Sequence, residues 1–206
     1  MLKVIDHPLV KHRMAYMRDV NTQPKLFREL VSEVTTFLAY EALRDLKTKK
    51  VDVLTPVAKA VCDKVADEIV IVPILRAGMG MLEAMLNLLP YAKVGVLGIQ
   101  RNEETAEPIP YFTKIPQAKG DELAIMIDPM FATGGSAVDA VSQLKKLGYR
   151  RIVFLSLVLA PEGIANFEKC HPDVPVYTAA KDEGLNSRFY IVPGLGDAGD
   201  RIFGTI

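Results

Sequence analysis

Five short apolar runs, at residues 69–75, 92–99, 123–127, 152–159 and 174–177, alternate with stretches of helical spacing over the last two thirds of the chain. Runs of this length without polar alternation are the pattern of strands covered on both faces. Between them, residues 78–89, 134–147 and 161–169 are candidate helices, the middle one closing with Lys145, Lys146 and Gly148, a usual C-terminal signature. Strand and helix in alternation predict a parallel α/β sheet. In open sheets of that kind ligands sit beyond the carboxyl ends of the strands, so the segments after Leu75, Ile99 and Ile127 should converge on one crevice.

The first third reads as helix. Phe27, Leu30, Val31, Val34, Phe37 and Leu38 share one face, with Thr22 as the expected N-cap and Pro24 in the first turn. At 206 residues, half of them apolar, the expectation is one domain spanning 1–206. The 25 basic and 25 acidic residues cancel, which argues for small-molecule partners and against a surface that coats nucleic acid. Cys62 and Cys170 make no metal-binding spacing and are expected to be buried or idle thiols. His7, His12 and His171 are scattered and receive no role beyond surface or capping positions. The opening residues lack a signal-peptide core and no run reaches the roughly 20 apolar residues of a membrane span, so a cytoplasmic, membrane-free protein is expected.

The richest stretch is Asp128-Pro129-Met130-Phe131-Ala132-Thr133-Gly134-Gly135-Ser136, which leaves one apolar run and enters a helix. Such a loop turns backbone N–H groups and hydroxyls toward a phosphate at the positive end of the helix, and the glycines allow close approach. An ordinary βα turn would account for Gly134, Gly135 and Ser136; it accounts less well for Asp128 and Thr133. A second strand end carries Arg76 beside Ala77 and Gly78, a planar fork of donors suited to a diphosphate or, equally, to an ion pair. Arg101 opens a polar, proline-bearing segment, about 100–120, that reads as a flap or hairpin. Residues 191–201 are rich in turn formers and read as irregular.

The loop 128–136 resembles the phosphoribosyl-diphosphate loop of the phosphoribosyltransferases. Pro73-Ile74-Leu75-Arg76-Ala77-Gly78, Arg101-Asn102-Glu103-Glu104-Thr105, Ala160-Pro161-Glu162-Gly163 and Gly194-Leu195-Gly196-Asp197-Ala198-Gly199-Asp200-Arg201 resemble, in order and spacing, the uracil phosphoribosyltransferase family. The resemblance implies that family's parallel sheet flanked by helices, with a flap hairpin and a C-terminal hood at about 188–206. It implies transfer of a 5-phosphoribosyl group from 5-phospho-α-D-ribose 1-diphosphate (PRPP) to N1 of uracil, giving UMP and diphosphate. Arg76, Arg101, Asp128 and Asp197 would be the catalytic set. PRPP would be bound by these four together with Pro129, Met130, Phe131, Ala132, Thr133, Gly134, Gly135 and Ser136. Uracil would be read by Ile191, Gly196, Asp197 and Ala198, largely through main-chain groups. Many members of the wider superfamily have two adjacent acids at the start of the loop. Here Pro129 follows Asp128, so a second acid is expected from elsewhere, with Asp197 the candidate.

Mg2+ is the implied cofactor, held mainly by PRPP and water, with no dedicated protein cage; GTP is an implied activator with no assigned site. No His or Glu in these motifs stands out as a base for uracil N1. A P-loop nucleotidase is disfavoured because no Lys follows Gly135. A nucleotide- and RNA-binding regulator of the same fold would be expected to carry a basic face, and a purine-specific enzyme a different hood. The apolar segment Met79-Gly80-Met81-Leu82 and the long first helix point to a homodimer or higher homo-oligomer.

Overall fold

The structure, a computed structural model, describes residues 1–101 and 108–205, with the side chains of Arg101 and Pro108 outside the description. In chain order the elements are β1 (Leu2–Val4), α1 (Pro8–Arg18), α2 (Pro24–Ala42), β2 (Thr48–Leu54), β3 (Lys59–Val65), β4 (Ile69–Leu75), α3 (Met79–Leu88), β5 (Lys93–Val94) and β6 (Val96–Arg101). They continue with β7 (Pro108–Lys114), β8 (Leu123–Ile127), β9 (Met130–Phe131), α4 (Gly135–Lys146), β10 (Arg151–Leu159), α5 (Pro161–Cys170), β11 (Val176–Lys181), β12 (Gly184–Leu185), β13 (Ile191–Val192) and α6 (Ala198–Phe203). The main sheet runs β1-β11-β10-β8-β4-β6-β7, all parallel except the β6–β7 pair, with β5 beside β4 and β9 beside β10.

The strand pleat sends alternate residues to two cores. Ile69 and Ile71 of β4 and Ile125 and Ile127 of β8 face the core closed by α1, α2, α3 and α6, where Phe27, Val31, Val34 and Leu38 are completely buried. Val70, Val72 and Ile74, with Ala124 and Met126, face the core closed by α4 and α5. There Phe131, Phe154 and Phe167 meet edge to face, with ring centroids 5.1, 5.4 and 6.1 Å apart.

Two-sided burial explains why the apolar runs located β4 and β8. The expected strand at 92–99 is broken into β5 and β6. β4 pairs with β5 through Val70 and Ile71 and with β6 from Ile74 onward, and the interruption falls at Pro73, which has no N–H to donate. The run at 174–177 is displaced into β11, which continues through Thr178 to Lys181. Thr22 does not cap α2: Gln23 holds the N-cap position without a side-chain bond, and the Thr22 hydroxyl donates to Tyr16 O at 2.6 Å. Pro24 does occupy the first turn. The β2–β3 arm interrupts the expected helical first third. Its Thr-Lys-Lys-Val-Asp-Val-Leu strand pairs only with β3 and is largely exposed, so it shows no buried run. Both cysteines are exposed and unpaired, not buried. His7 does cap, its Nδ1 accepting from the Leu9 N–H at 3.1 Å.

The paired legs of a hairpin lie earlier than the flap expected at about 100–120: they run antiparallel from Val96 with Lys114 to Arg101 with Pro108. Phe167→Ala should cost about 3–5 kcal/mol, read as a lowered urea midpoint, because its ring is fully buried between Phe131 and Phe154.

Candidate active site

After β4 the chain builds β6 on one side, then returns to the other side for β8, so a crevice opens beyond the carboxyl ends of these two strands. Its volume is ≈ 660 Å³, and its walls are the β4–α3 turn, the loop after β8, part of β6 and β7, and the segment from Phe189 to Gly199.

The loop after β8 is anchored backbone to backbone. The Asp128 N–H donates to Leu155 O at 3.2 Å, while Pro129 O accepts from the N–H groups of Leu157 and Val158, both at 3.1 Å. Gly134 has φ +78°, and a Cβ there would meet Gly163 O at 2.5 Å; a Cβ on Gly163 would meet Ala132 O at 2.2 Å. The loop therefore rests directly on the first turn of α5, and further along that helix Asn166 Nδ2 donates to Thr133 O at 3.1 Å. This contact gives physical content to Ala160-Pro161-Glu162-Gly163. Gly134 caps α4 without a side-chain acceptor; the Gly135 N–H donates to Thr133 Oγ1 at 3.4 Å, and the N–H groups that follow it in the first turn of this 12-residue helix face an anion site.

On the opposite wall, Gly78 packs the β4–α3 turn onto β8, since a Cβ there would lie 2.6 Å from both Ile127 O and Ile74 O. Arg76 follows a cis peptide from Leu75 and lies at the crevice. Its Nη2 donates to Asp200 Oδ1 at 3.3 Å, and its guanidinium carbon lies 5.7 Å from the centre of the Phe203 ring.

The C-terminal segment is pinned from behind. Arg18 donates to both oxygens of Asp182 at 2.8 and 2.6 Å and to Gly194 O at 2.7 Å, and Asp182 accepts from the Gly194 N–H at 2.8 Å. The Asp182 side chain is only 4% exposed, so this pairing is shielded from solvent. Arg201 donates to the carbonyls of Met17, Leu195 and Asp19 and stacks 4.3 Å above Phe27. Contrary to the irregular reading of this segment, it contains β13 and α6; Asp197 is the N-cap of α6, its Oδ1 accepting from the Asp200 N–H at 2.9 Å.

Of the residues singled out in the sequence, Arg76, Asp128, Met130, Phe131, Ala132, Thr133, Gly134 and Ser136 meet Ile191, Gly196, Asp197 and Ala198 around this one crevice. Pro129 and Gly135 do not line it: Pro129 is buried beneath the loop and Gly135 begins α4. The Arg101 side chain and residues 102–107 lie outside the described residues.

Three aromatic residues join the wall without having been singled out for it. Tyr111 lies on the flap, packed so closely over Gly98 that a Cβ there would meet its ring at 2.6 Å. Phe189 (φ 61°) and Tyr190 precede Ile191, in a turn templated by Asn186, whose Oδ1 accepts from the N–H groups of Arg188 and Tyr190 at 2.9 and 3.0 Å. The available signal was the aromatic pair next to the turn-forming segment.

Burial pushes the Asp128 carboxyl up to about 7. Its hydrogen bond from the Met130 N–H opposes that rise, and the neighbouring Asp197 charge adds to it. Across the described residues no group of three or more His, Cys, Asp or Glu forms a metal cage.

The sheet order and this crevice define a protein of the phosphoribosyltransferase class. A hypoxanthine phosphoribosyltransferase from Staphylococcus aureus shares the fold, with a TM-score of 0.52 at 12% identity over 77% of this chain and 76% of that one. The solved AQ2163 protein of Aquifex aeolicus superposes with a TM-score of 0.94 at 38% identity, covering 98% of each chain. A family model described as uracil phosphoribosyltransferase matches residues 4–205. The uracil phosphoribosyltransferase of Campylobacter concisus (strain 13826) is 51% identical over 100% of this chain and 99% of its own. That of Staphylococcus aureus (strain Newman) is 51% identical over 98% and 97%. The chain belongs to the uracil phosphoribosyltransferase family and is a pentosyltransferase.

A carboxyl raised to about 7 stays protonated in the folded state over a range, from about pH 4 to 7, in which the unfolded chain has already ionised. Stability contributed by Asp128 therefore falls as pH rises through that window, and the cost is fully present above it. Asp128→Asn removes the titration, so its gain in melting temperature over the parent should be larger at pH 8 than at pH 4 in paired thermal melts.

Proposed function

We infer that this enzyme transfers the 5-phosphoribosyl group of PRPP to N1 of uracil, forming UMP and diphosphate in pyrimidine salvage. The observation that carries the reading is the meeting of Arg76, Asp128, Asp197, the α4 N-terminal loop and the segment 191–198 around one crevice, in a chain of this family.

In the reaction the bond from the ribose anomeric carbon to diphosphate oxygen breaks as uracil N1 bonds to that carbon, and N1 loses its proton. Positive character develops on the ribose and negative charge on the leaving group. Arg76 and the backbone amides of the β4–α3 turn stabilise the leaving diphosphate, and Arg101 closes over it from the flap. Thr133, Ser136 and the N–H groups of residues 132–136 hold the 5-phosphate. Pro129, with Met130 and Phe131, shapes the loop from beneath and beside it, and Gly135 supplies an N–H from the first turn of α4. Asp128, once ionised, accepts hydrogen bonds from the ribose hydroxyls, while Asp197 orients the ribose end from the hood. Ile191, Gly196, Asp197 and Ala198 read the uracil edge through main-chain groups, with Gly196, at φ +80°, permitting close approach. Hood and flap together exclude water that would attack the same carbon.

Two carboxylates at the crevice, without a cage, suit Mg2+, a hard cation that keeps waters and phosphate ligands. When bound with PRPP it offsets charge on the diphosphate. The enzyme is one domain over residues 1–206 and works in the cytoplasm; no described helix is long and apolar enough to cross a membrane. It assembles as a homodimer or higher homo-oligomer. Met79 is 40% exposed and available to a partner, whereas Met81 is spent in the chain's own core. GTP is its activator.

Radiolabelled uracil with PRPP and Mg2+ should yield UMP, and Arg76→Ala should lower kcat/KM for PRPP on the order of 100-fold, the scale of one lost transition-state donor. With burial pushing the Asp128 carboxyl up to about 7, kcat/KM for PRPP should rise with pH through that region, and the limb should vanish in Asp128→Asn. No turnover with uracil, combined with thermal stabilisation by PRPP, would redirect the reading to another base or to a regulator.

A further inference from the structure

Asp200 has no part in the roles above, yet its hydrogen bonds join Arg76 on the β4–α3 wall to Asp197 of the hood. Its N–H donates to Asp197 Oδ1 at 2.9 Å, and its carbonyl accepts from the N–H groups of Gly204 and Thr205 at 2.7 and 3.2 Å. Its Oδ1 accepts from the Thr205 hydroxyl at 2.5 Å and from Arg76 Nη2 at 3.3 Å. Thr205 thus aims the carboxylate while Asp197 and the helix turn hold its backbone. Arg76 is the more exposed partner, its side chain 59% exposed against 34% for Asp200. Its other support, the ring of Phe203, comes from the same short helix.

A long exposed arginine loses rotamer freedom when it captures an anion, and a group held in place beforehand loses less. The guanidinium has five N–H donors in a planar fork, so a contact through Nη2 leaves donors for phosphate oxygens. We propose that Asp200 is a positioning residue for Arg76: anchored by Thr205, it holds the guanidinium against α6 so that the diphosphate of PRPP meets an oriented donor on the hood side of the crevice. One consequence is that leaving-group binding is tied to the element whose N-cap is Asp197. The inference rests on the reading of Arg76 as the diphosphate ligand.

Asp200→Asn keeps an oxygen for the Thr205 hydroxyl and removes the charge that attracts Arg76. It should raise KM for PRPP about fivefold, the upper end for a part-exposed ion pair, with KM for uracil little changed. In an Arg76→Ala background the same substitution should add nothing further, which a purely structural role in α6 would not produce. Phe203→Leu, which touches Arg76 without altering Asp200, should raise KM for PRPP in the same direction and stands in if Asp200→Asn lowers the melting temperature below the assay range. An unchanged KM for PRPP, a parallel rise in KM for uracil, or a full additional effect in the Arg76→Ala background would overturn the proposal. If Arg76→Ala itself leaves KM and kcat for PRPP unchanged, the diphosphate assignment of Arg76 fails; if Arg76→Ala is impaired and Asp200→Asn is silent, only the positioning role fails.

Discussion

Pairing of Val72 with Met126 and of Pro73 with Ile127 sets β4 against β8 in parallel register. β8 ends at Ile127, opposite Pro73, and β4 runs on to Leu75; because the chain turns opposite ways from β4 to reach β6 and β8, the ends of these strands open the crevice. The same register brings Gly78 onto Ile127 O, a contact with no room for a side chain. Arg76 and Asp128, far apart in sequence, thus both leave the carboxyl ends of adjacent strands and line one crevice. The aliphatic cores above and below stabilise the paired strands, and function depends on where those strands stop.

The crevice is chemically asymmetric. Asp128 lines it, and burial, with a smaller push from the nearby Asp197 charge, raises its carboxyl to about 7. A polyanionic ligand entering the crevice would meet Arg76, the loop hydroxyls and the positive end of α4, where N–H groups attract an anion without adding charge to the protein surface. This arrangement is compatible with a chain whose 25 basic and 25 acidic residues cancel. The C-terminal segment completes the enclosure because Arg18, Asp182 and Arg201 hold it from behind, leaving Ile191, Gly196, Asp197 and Ala198 at the crevice.

Legibility followed burial. Residues 69–75 and 123–127 were readable as strands because helices cover both faces and polar residues are excluded; 152–159 missed β10 by the single residue Arg151, whose guanidinium reaches Asp67. β2 and β3 were unreadable for the opposite reason: they pair with each other away from the cores, so lysines and valines mix without a continuous apolar run. Thr22 carries a capping side chain, yet its hydroxyl is drawn to Tyr16 O, a competition no local spacing reveals. Tyr111, Phe189 and Tyr190 entered the crevice through the flap and the Asn186 turn, whose directions depend on the elements they pack against.

The sequence by itself determined the alternation of β4, β8 and β10 with α3, α4 and α5, the residue types of the loop from Asp128 to Ser136 and the family to which these segments belong. Only the tertiary structure decided that Arg76 faces Asp200 and Phe203, that Arg18 clamps Asp182 and Gly194, and that Asp128 is desolvated beside Asp197. The reason is physical: periodicity and residue type report what a segment can do with its own backbone and with water, whereas ion pairing, desolvation and enclosure depend on partners brought from distant parts of the chain.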